Sequence, residues 1–185
     1  MALLRPCRLA AAVLVVCGLT SAVRAQVVAG EYPIKAAFLQ NFPKFVDWPS
    51  LQPGGVSPLV IGIVGDDPFG PMFSSMIAGV TIDGHPLVLS HLRWNDRLSD
   101  CHVLFISTSE IHHLPQILAE APNALTVGDF DSFARRGGVV ELRMVGNRVR
   151  FDINIAAAHR AGIRISSKLL GLAMHVYDEL PGRAP

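Results

Sequence analysis

The chain has 185 residues, with 16 basic and 15 acidic side chains and a formal charge of +1. The first 25 residues hold three of the basic side chains, Arg5, Arg8 and Arg24, and no acid. The remaining residues therefore carry 13 basic and 15 acidic groups, a net charge of −2. A mildly acidic domain lacks the basic surface that holds phosphate backbones, which excludes general nucleic-acid binding. Half of all residues are apolar, which excludes a disordered chain.

The first segment has the plan of a secretory signal peptide. Arg5 and Arg8 precede an apolar run over Leu9–Leu19, and a short polar stretch then ends in Ala25. The run is shorter than the roughly 20 residues that a membrane-spanning helix needs. We therefore expect residues 1–25 to be a signal peptide, cleaved near Ala25, so that the protein is secreted. A lipoprotein signal is disfavoured because valine precedes Cys17 where a small residue is usual.

The mature chain has one cysteine. Cys7 and Cys17 lie within the predicted leader, so Cys101 has no partner for an internal disulfide. We interpret Cys101 as a buried, unreactive thiol at the entrance of a strand. The longest apolar stretch beyond the leader, Leu59–Val64, has six residues, a length that suits a buried strand and cannot span a membrane.

Helices and strands are predicted to alternate along the mature chain. Four runs rich in apolar and β-branched residues are predicted strands: Pro58–Gly65, Leu87–Leu89, His102–Ser107 and Ala124–Val127. Four segments with helical periodicity or caps are predicted helices: Tyr32–Trp48 with a kink at Pro43, a short helix to Ile77, Glu110–Ala121, and one capped by Ser166–Ser167 whose apolar face reaches Val176.

The clearest antiparallel element is a hairpin. Val139–Val145 and Arg148–Ile155 are β-branched flanks, and Gly146 and Asn147 between them tolerate the positive φ of a tight turn. Strands that alternate with helices indicate a parallel, helix-covered sheet. The sequence therefore predicts an α/β fold, in which a largely parallel mixed sheet is flanked by helices and extended by an antiparallel hairpin, with residues 26–185 as a single domain.

Motifs for catalysis and metal binding are missing from the sequence. It has no Gly-x-Ser-x-Gly elbow, and its seven histidines form no His-x-His pair or His-Glu-x-x-His helix. The acidic pairs Asp66–Asp67 and Asp129–Asp131 follow predicted strands, where α/β proteins bind ligands. Asp is also a preferred helix cap, and we interpret both pairs as caps. We expect no catalytic residue, no metal and no cofactor.

A basic cluster is the candidate ligand site. Arg143, Arg148 and Arg150 come from the hairpin, and Arg160 and Arg164 follow it. Residues 148 and 150 of a strand point to the same face, and guanidinium groups bind carboxylates or phosphates with paired hydrogen bonds. We take Arg148, Arg150 and Arg164 as candidate residues for a small anionic ligand. The alternative is a solvated hairpin face.

Five segments resemble one family of secreted bacterial proteins. They occur in order, cover nearly all of the mature chain, and are most specific at the two ends: Ile34–Pro49, Leu125–Asp129, Phe133–Gly138, Arg150–Asn154 and Arg160–Ala173. On these segments the chain resembles the YfiR-like family, also called DUF4154.

The resemblance implies a periplasmic α/β protein without catalytic activity. The type member of the family restrains a membrane-bound diguanylate cyclase by binding the periplasmic sensor portion of that enzyme, which lowers cyclic di-GMP and biofilm matrix production. The type member also uses disulfides in a redox-sensitive way. This sequence departs from that pattern, because Cys101 is the single cysteine of its predicted mature chain.

An inhibitor of this kind must present an apolar docking surface. The first predicted helix has more large apolar side chains than one face can bury, and we take Phe42 and Trp48 as partner-contact candidates. Complete burial in the core is the alternative. The leading hypothesis is a repressor that binds the periplasmic sensor of an inner-membrane diguanylate cyclase. The second is a periplasmic module for a small ligand such as a nucleotide or amino acid, and a homodimer is compatible with both.

Overall fold

The computed structural model describes residues 30–49, 51 and 55–178. The predicted signal peptide and its cleavage point near Ala25 lie outside the described residues. The strands in chain order are β1 Val46–Asp47, β2 Leu59–Val64, β3 Thr81–Ile82, β4 His85–Leu92, β5 Val103–Ile106, β6 Leu125–Gly128, β7 Val140–Val145, β8 Arg148–Asn154, β9 Arg164–Ile165 and β10 Val176–Tyr177.

The helices lie between these strands. They are α1 (residues 30–41), a 3₁₀ turn Phe42–Phe45, α2 Pro71–Ile77, a 3₁₀ turn Thr108–Glu110, α3 Leu114–Glu120, α4 Ile155–Arg160 and α5 Ser167–Leu170.

Eight of the described strands form one mixed sheet in the order β10-β8-β7-β6-β5-β2-β4-β3. The central pairs from β4 through β7 are parallel. The predicted hairpin is the antiparallel pair β7 and β8, and β10 pairs parallel to β8 at the edge. A second sheet joins β1 and β9 in antiparallel fashion. The predicted fold class, an α/β fold with a largely parallel sheet and an added hairpin, is confirmed.

The large sheet separates two apolar layers. On one face, α1, α2, α4 and α5 pack against side chains such as Ile61 and Phe105, and on the other face α3 packs against Leu104 and Ile106. Successive side chains of each strand face opposite layers because a strand has a two-residue period. Strands β2 and β5 consist of apolar residues and one glycine because both of their faces are buried. Each large buried side chain contributes roughly 1.5–3 kcal/mol to folding.

Cys101 lies in the apolar layer on the α3 side of the sheet, and its position explains why β2 contains a glycine, Gly62. A Cβ at Gly62 would lie 2.8 Å from Cys101 Sγ and 2.8 Å from Leu104 Cδ1. Cys101 is 6% exposed, and burial raises the pKa of its thiol to about 11. The interpretation of Cys101 as a buried, unreactive thiol agrees with this placement.

The first helix is shorter than predicted. It ends at Asn41, and Pro43 lies in the 3₁₀ turn instead of kinking a longer helix. The chain then extends as β1, which pairs Val46 with Ile165 and Asp47 with Arg164. The prediction of helix up to Trp48 was wrong because Pro43 cannot donate an intrahelical hydrogen bond and because β9 offers a pairing partner from far along the chain.

The last predicted helix is also wrong in extent. Ser166 caps α5 as predicted, with its hydroxyl accepting from the Leu169 N–H at 3.3 Å, but the helix ends at Leu170. Val176 lies in β10, not on a helical face. Helix α4 was missed because its apolar start reads as a continuation of β8. Asn154 ends that strand by accepting the Ala157 N–H at 2.8 Å.

Candidate functional site

Phe42 and Trp48, the partner-contact candidates, both lie in the core. They are 1% and 6% exposed, respectively. The 3₁₀ turn after α1 directs Phe42 inward, where its ring lies 5.7 Å from that of Phe38 and 5.5 Å from that of Phe151. The expected exposure of Phe42 and Trp48 is therefore corrected, because the turn buries side chains that a continuous helix would have presented outward. A role for either residue in partner binding stays a prediction.

Other apolar side chains of the same region are exposed. They line an open groove of about 330 Å³ between α1, α5 and β8, which we call the α1–α5 groove. Its lining residues are Ile34, Ala37, Phe38, Asn41, Phe42, Phe45, Phe151, Leu169 and Leu172. Ile34 is 46% exposed and Leu172 is 65% exposed, so the walls of the groove face solvent while its floor belongs to the core.

The hairpin arginines lie on the opposite face of the sheet from this groove. Arg148 and Arg150 alternate with the buried Val149 and Phe151, so they share one exposed face. Arg143 of β7 is directly opposite Arg150 in the register. Arg164 lies on β9 in the second sheet, where it faces Asp47. The structure thus places Arg148 and Arg150 side by side and Arg164 in a different sheet.

A buried carboxylate organises the hairpin face, and sequence reasoning missed it. The side chain of Asp152 is 1% exposed, and its Oδ2 accepts hydrogen bonds from Arg143 Nη1 at 2.9 Å and from the Tyr177 hydroxyl at 3.3 Å. Its Oδ1 lies 3.0 Å from His175 Nδ1. The hydrogen bond and the attraction of Asp152 raise the pKa of Arg143. The alternation of β8 was the available signal, since it places Asp152 two residues from Arg150 on one face.

This carboxylate fastens the edge of the sheet. His175 and Tyr177 flank Val176 of β10, and their contacts with Asp152 add side-chain bonds to the backbone pairing of β10 with β8. The guanidinium of Arg135 lies 4.7 Å from the centre of the Tyr177 ring. The oxygens of the Asp152 carboxylate already accept hydrogen bonds from three side chains. These bonds stabilise the buried negative charge and hold β10 against β8.

The acidic pairs at the ends of the parallel strands also have protein partners. Asp67 Oδ1 accepts the backbone N–H groups of Phe69 at 2.8 Å and Gly70 at 3.2 Å, and Asp67 Oδ2 lies 2.9 Å from His91 Nε2. Asp129 pairs at 2.8 Å with the buried ammonium of Lys35 on α1. These acids order the loops and anchor the first helix.

Lys35 illustrates how strongly α1 is tied to the sheet. Its ammonium contacts both Asp129 and Glu31, and its side chain is 3% exposed. Burial by itself would lower the pKa of Lys35, but the hydrogen bonds to the two carboxylates outweigh it and raise that pKa. The wall of the groove that α1 supplies is therefore fixed in place by charge as well as by packing.

His, Cys, Asp and Glu side chains are the groups that would hold a metal ion. Within the ranges 30–49, 51 and 55–178, no three of them come together in a way that could hold a metal ion. His113 Nδ1 lies 2.9 Å from Glu110 Oε2, and its ring stacks on that of Trp94 with ring centres 4.4 Å apart. These two contacts hold the imidazole in place. No helix in the described part of the chain is both long and apolar enough to cross a bilayer.

Two solved structures are similar to parts of this chain. The chain covers 54% of a conserved domain protein from Vibrio cholerae O1 biovar El Tor, with a TM-score of 0.49 and 15% identity over 64% of this chain. It covers 54% of an ABC domain in complex with L-Trp from Streptococcus pneumonia, with a TM-score of 0.48 and 11% identity over 63% of this chain. The chain thus spans about half the length of each.

The family comparison covers more of the chain. No curated protein matches it. The model of the family described as YfiR/HmsC-like, DUF4154, matches residues 32–174, a range that contains every described strand except the last and every wall of the α1–α5 groove. The chain belongs to the YfiR/HmsC-like family.

Proposed function

We propose that the protein is a non-catalytic periplasmic regulator. In this proposal it binds the periplasmic sensor portion of an inner-membrane diguanylate cyclase and represses that enzyme, which lowers cyclic di-GMP and biofilm formation. The observation that carries the proposal is the family match over residues 32–174. The choice of a diguanylate cyclase as the partner follows from the type member of the family, which binds such an enzyme.

The surface of the molecule supports a binding role. Contiguous exposed apolar surface with a polar rim commonly marks a site of interaction. The α1–α5 groove is a surface of this kind, with an aromatic floor and exposed walls. The carboxylates of Asp152 and Asp129 are paired with neighbouring side chains, and that of Asp67 accepts backbone N–H groups, so each has a structural role.

Genetic complementation tests the proposed function. Deleting the gene should raise cyclic di-GMP and surface attachment, and the full chain supplied from a plasmid should restore both. A chain that lacks residues 1–25 should fail to restore them, because it would be retained on the wrong side of the membrane. Unchanged cyclic di-GMP after deletion, in a strain that demonstrably produces the protein, would contradict the proposal.

The same strains test the proposed location. Export with cleavage near Ala25 predicts that the protein purified from a periplasmic extract begins at or close to Gln26. Amino-terminal sequencing or intact-mass measurement reads this directly. A mass that includes residues 1–25, or a protein found only in the cytoplasmic fraction, would contradict export.

A module for a small anionic ligand is the second candidate, and the register of the hairpin favours it. Arg143 and Arg150 are directly opposite each other, and like charges in that arrangement destabilise a strand pair. Asp152 compensates Arg143. Arg148 and Arg150 form no ion pair with any carboxylate of the described residues, which leaves two adjacent cations available to an anion.

Calorimetric titration of the mature protein with nucleotides and amino acids tests this second function. If an anion binds the hairpin face, Arg150→Ala should weaken binding at least about tenfold, which is about 1.4 kcal/mol. The matched control is Arg97→Ala, which removes an exposed cation from a distant loop and should leave the affinity unchanged. Heat from none of the compounds, or an equal effect of both variants, would contradict a ligand site here.

A further inference from the structure

The α1–α5 groove has a floor of three aromatic rings. The centres of Phe38 and Phe42 are 5.7 Å apart, and each lies 5.5 Å from the centre of Phe151. The ring of Phe151 packs edge-on against the other two, an arrangement that aromatic pairs prefer. The groove is therefore present as an apolar depression without an occupant.

The polar atoms of the groove are already bonded within the protein. Of the described residues that line it, Asn41 is the one with a polar side chain. The amide nitrogen of Asn41 donates to the Ala37 carbonyl at 2.7 Å, and its oxygen accepts from Lys44 Nζ at 2.7 Å. An occupant of the floor therefore gains by burying apolar groups and finds no free polar group to bond there.

Exposed apolar side chains also occur at β10, the strand that pairs with β8 beside the groove residue Phe151. Val176 is in register with Ile153, which faces the first core layer, whereas His175 and Tyr177 contact Asp152 on the other face. By the alternation of a strand, Met174 and Val176 lie on the groove side. They are 43% and 46% exposed, and the Met174 N–H donates to the Phe151 carbonyl at 2.9 Å.

The extent of this surface indicates a macromolecular occupant. A small ligand is usually enclosed over most of its area, whereas here Ile34, Leu172, Met174 and Val176 remain open to solvent around the depression. The residues that α1 and the following turn contribute recur every three or four positions from Ile34 to Phe45. The groove therefore runs along α1 and the turn that follows it over roughly 16 Å, the length of about three turns of a partner helix.

Charge at the rim selects among partners. Lys44 bonds to Asn41 at one end of the groove, and Lys168 on α5 is adjacent in sequence to Leu169, which lines the groove. Both lysines are exposed, and neither lies within 4 Å of a carboxylate belonging to the described residues. Among residues 30–49, 51 and 55–178, no acidic side chain lines the groove. A second copy seated on the same face would bring these cations together, so the rim favours an acidic partner over self-association.

We propose that the α1–α5 groove docks an acidic amphipathic helix of a partner protein. Apolar side chains of that helix at positions i, i+3 or i+4, and i+7 occupy the aromatic floor and pack against Ile34 and Leu172. Flanking carboxylates of the helix pair with Lys44 and Lys168. The inference rests on the proposed function in one respect, which is that the sensor portion of a cyclase would supply this helix. The first test of the inference uses no cyclase.

That test titrates the ¹⁵N-labelled mature protein with two synthetic peptides. Both have 15 residues with leucines at positions 1, 4, 8 and 11 and alanine as the helix-forming background, and the four positions that flank the leucine face are glutamate in one peptide and lysine in the other. The glutamate peptide should shift the amide resonances of Ile34, Phe38 and Leu172 and bind at least tenfold more tightly at low salt. That advantage should shrink in 0.5 M NaCl, where exposed charges are screened beyond about 4 Å.

Variants locate the peptide on the surface. Leu172→Glu should weaken binding of the glutamate peptide at least tenfold. Val88→Glu is the matched control, because Val88 is 43% exposed on β4, away from the groove, and should change the affinity less than twofold. Lys168→Glu should weaken the glutamate peptide and strengthen the lysine peptide. All three variants alter exposed positions, and circular dichroism checks that each is folded.

Four outcomes would overturn the inference. The glutamate peptide could fail to bind at 1 mM, or the lysine peptide could bind as well or better. Dodecanoate could shift the groove resonances while neither peptide does, which would indicate a small apolar ligand. Sedimentation could reveal a dimer that Leu172→Glu dissociates, which would indicate a second copy as occupant.

The cyclase separates the inference from the proposed function. If the wild-type protein binds no cyclase while the glutamate peptide binds the groove, the proposed function fails and the inference stands. If the wild-type protein and Leu172→Glu bind the cyclase equally well, the proposed function stands and the groove is not the docking surface.

Discussion

The buried carboxylate of Asp152 offers a quantitative test of how β10 is held. Asp152→Asn preserves the size of the side chain and removes its charge. Asparagine can still accept hydrogen bonds through its oxygen, but its amide hydrogens must face at least one of the three present donors, Arg143, His175 or Tyr177. We therefore expect the substitution to weaken all three contacts and to leave one donor unmatched.

The magnitude follows from the exposure of the partners. A hydrogen bond to a charged group contributes about 1.5–3 kcal/mol and one between neutral groups about 0.5–1.5 kcal/mol. The side chains of Arg143 and His175 are 41% and 55% exposed, so water compensates part of their loss. We expect the free energy of unfolding to fall by about 2 kcal/mol and the melting temperature to fall by about 4–8 °C for a domain of this size.

Urea denaturation followed by circular dichroism measures the effect. The control is Asp131→Asn, which neutralises an exposed acid and should change the free energy of unfolding by less than about 0.5 kcal/mol. A double-mutant cycle with Arg143→Gln should return a coupling energy of about 1 kcal/mol between Asp152 and Arg143. A loss below about 0.5 kcal/mol for Asp152→Asn, or an equal loss in the control, would refute the account of this cluster.

Three further substitutions or reactions probe the core. Gly138→Ala should destabilise the fold by about 1–3 kcal/mol in thermal melts, because a Cβ there would overlap the fully buried ring of Phe133; a melt like that of the wild type would refute this. Lys35→Met should lower the free energy of unfolding by about 3–5 kcal/mol, because it leaves the Asp129 carboxylate buried without its ammonium; a urea midpoint like that of the wild type would contradict it. The pKa of Cys101 is about 11, against an ordinary 9.0, which implies about a hundredfold less thiolate in the folded protein than in the unfolded chain at pH 7. The folded protein should therefore react with dithionitrobenzoate at least about a hundredfold more slowly than the protein in urea. Equal reaction rates would refute burial of the thiol.

The central strands could be predicted from the sequence because local and tertiary preferences agree there. Runs such as Leu59–Val64 are β-branched or apolar throughout and are buried on both faces of the sheet. The hairpin was equally clear, since Gly146 adopts the positive φ that its turn requires. Where the intrinsic strand propensity of a segment agrees with the packing of its neighbours in the sheet, few alternative structures compete with the native one.

The elements that sequence reasoning placed wrongly depend on distant partners. The segment Val46–Asp47 is a strand because β9, far along the chain, pairs with it. Val176 has helical spacing from Leu169, yet it pairs with Ile153 and is held through its neighbours by Asp152. Periodicity within a segment carries no information about such pairings.

The candidate surface shows the same division. An excess of large apolar side chains around the first helix indicated an exposed apolar surface, but which of them are exposed depends on the turn at Phe42–Phe45. The structure buries Phe42 and Trp48 and exposes Ile34 and Leu172. Leu172 lies far from the first helix in sequence, so its contribution to the groove could not be read from local pattern.

Cyclase turnover in a reconstituted membrane tests the central claim most directly. The enzyme is the diguanylate cyclase whose loss suppresses the phenotype of the gene deletion, placed at full length in nanodiscs so that both of its faces are accessible. Added mature protein should inhibit the conversion of GTP to cyclic di-GMP in a saturable manner. Leu172→Glu should need at least a tenfold higher concentration for the same inhibition, and Val88→Glu should inhibit like the wild type. Full turnover at saturating wild-type protein would contradict a role as a cyclase repressor.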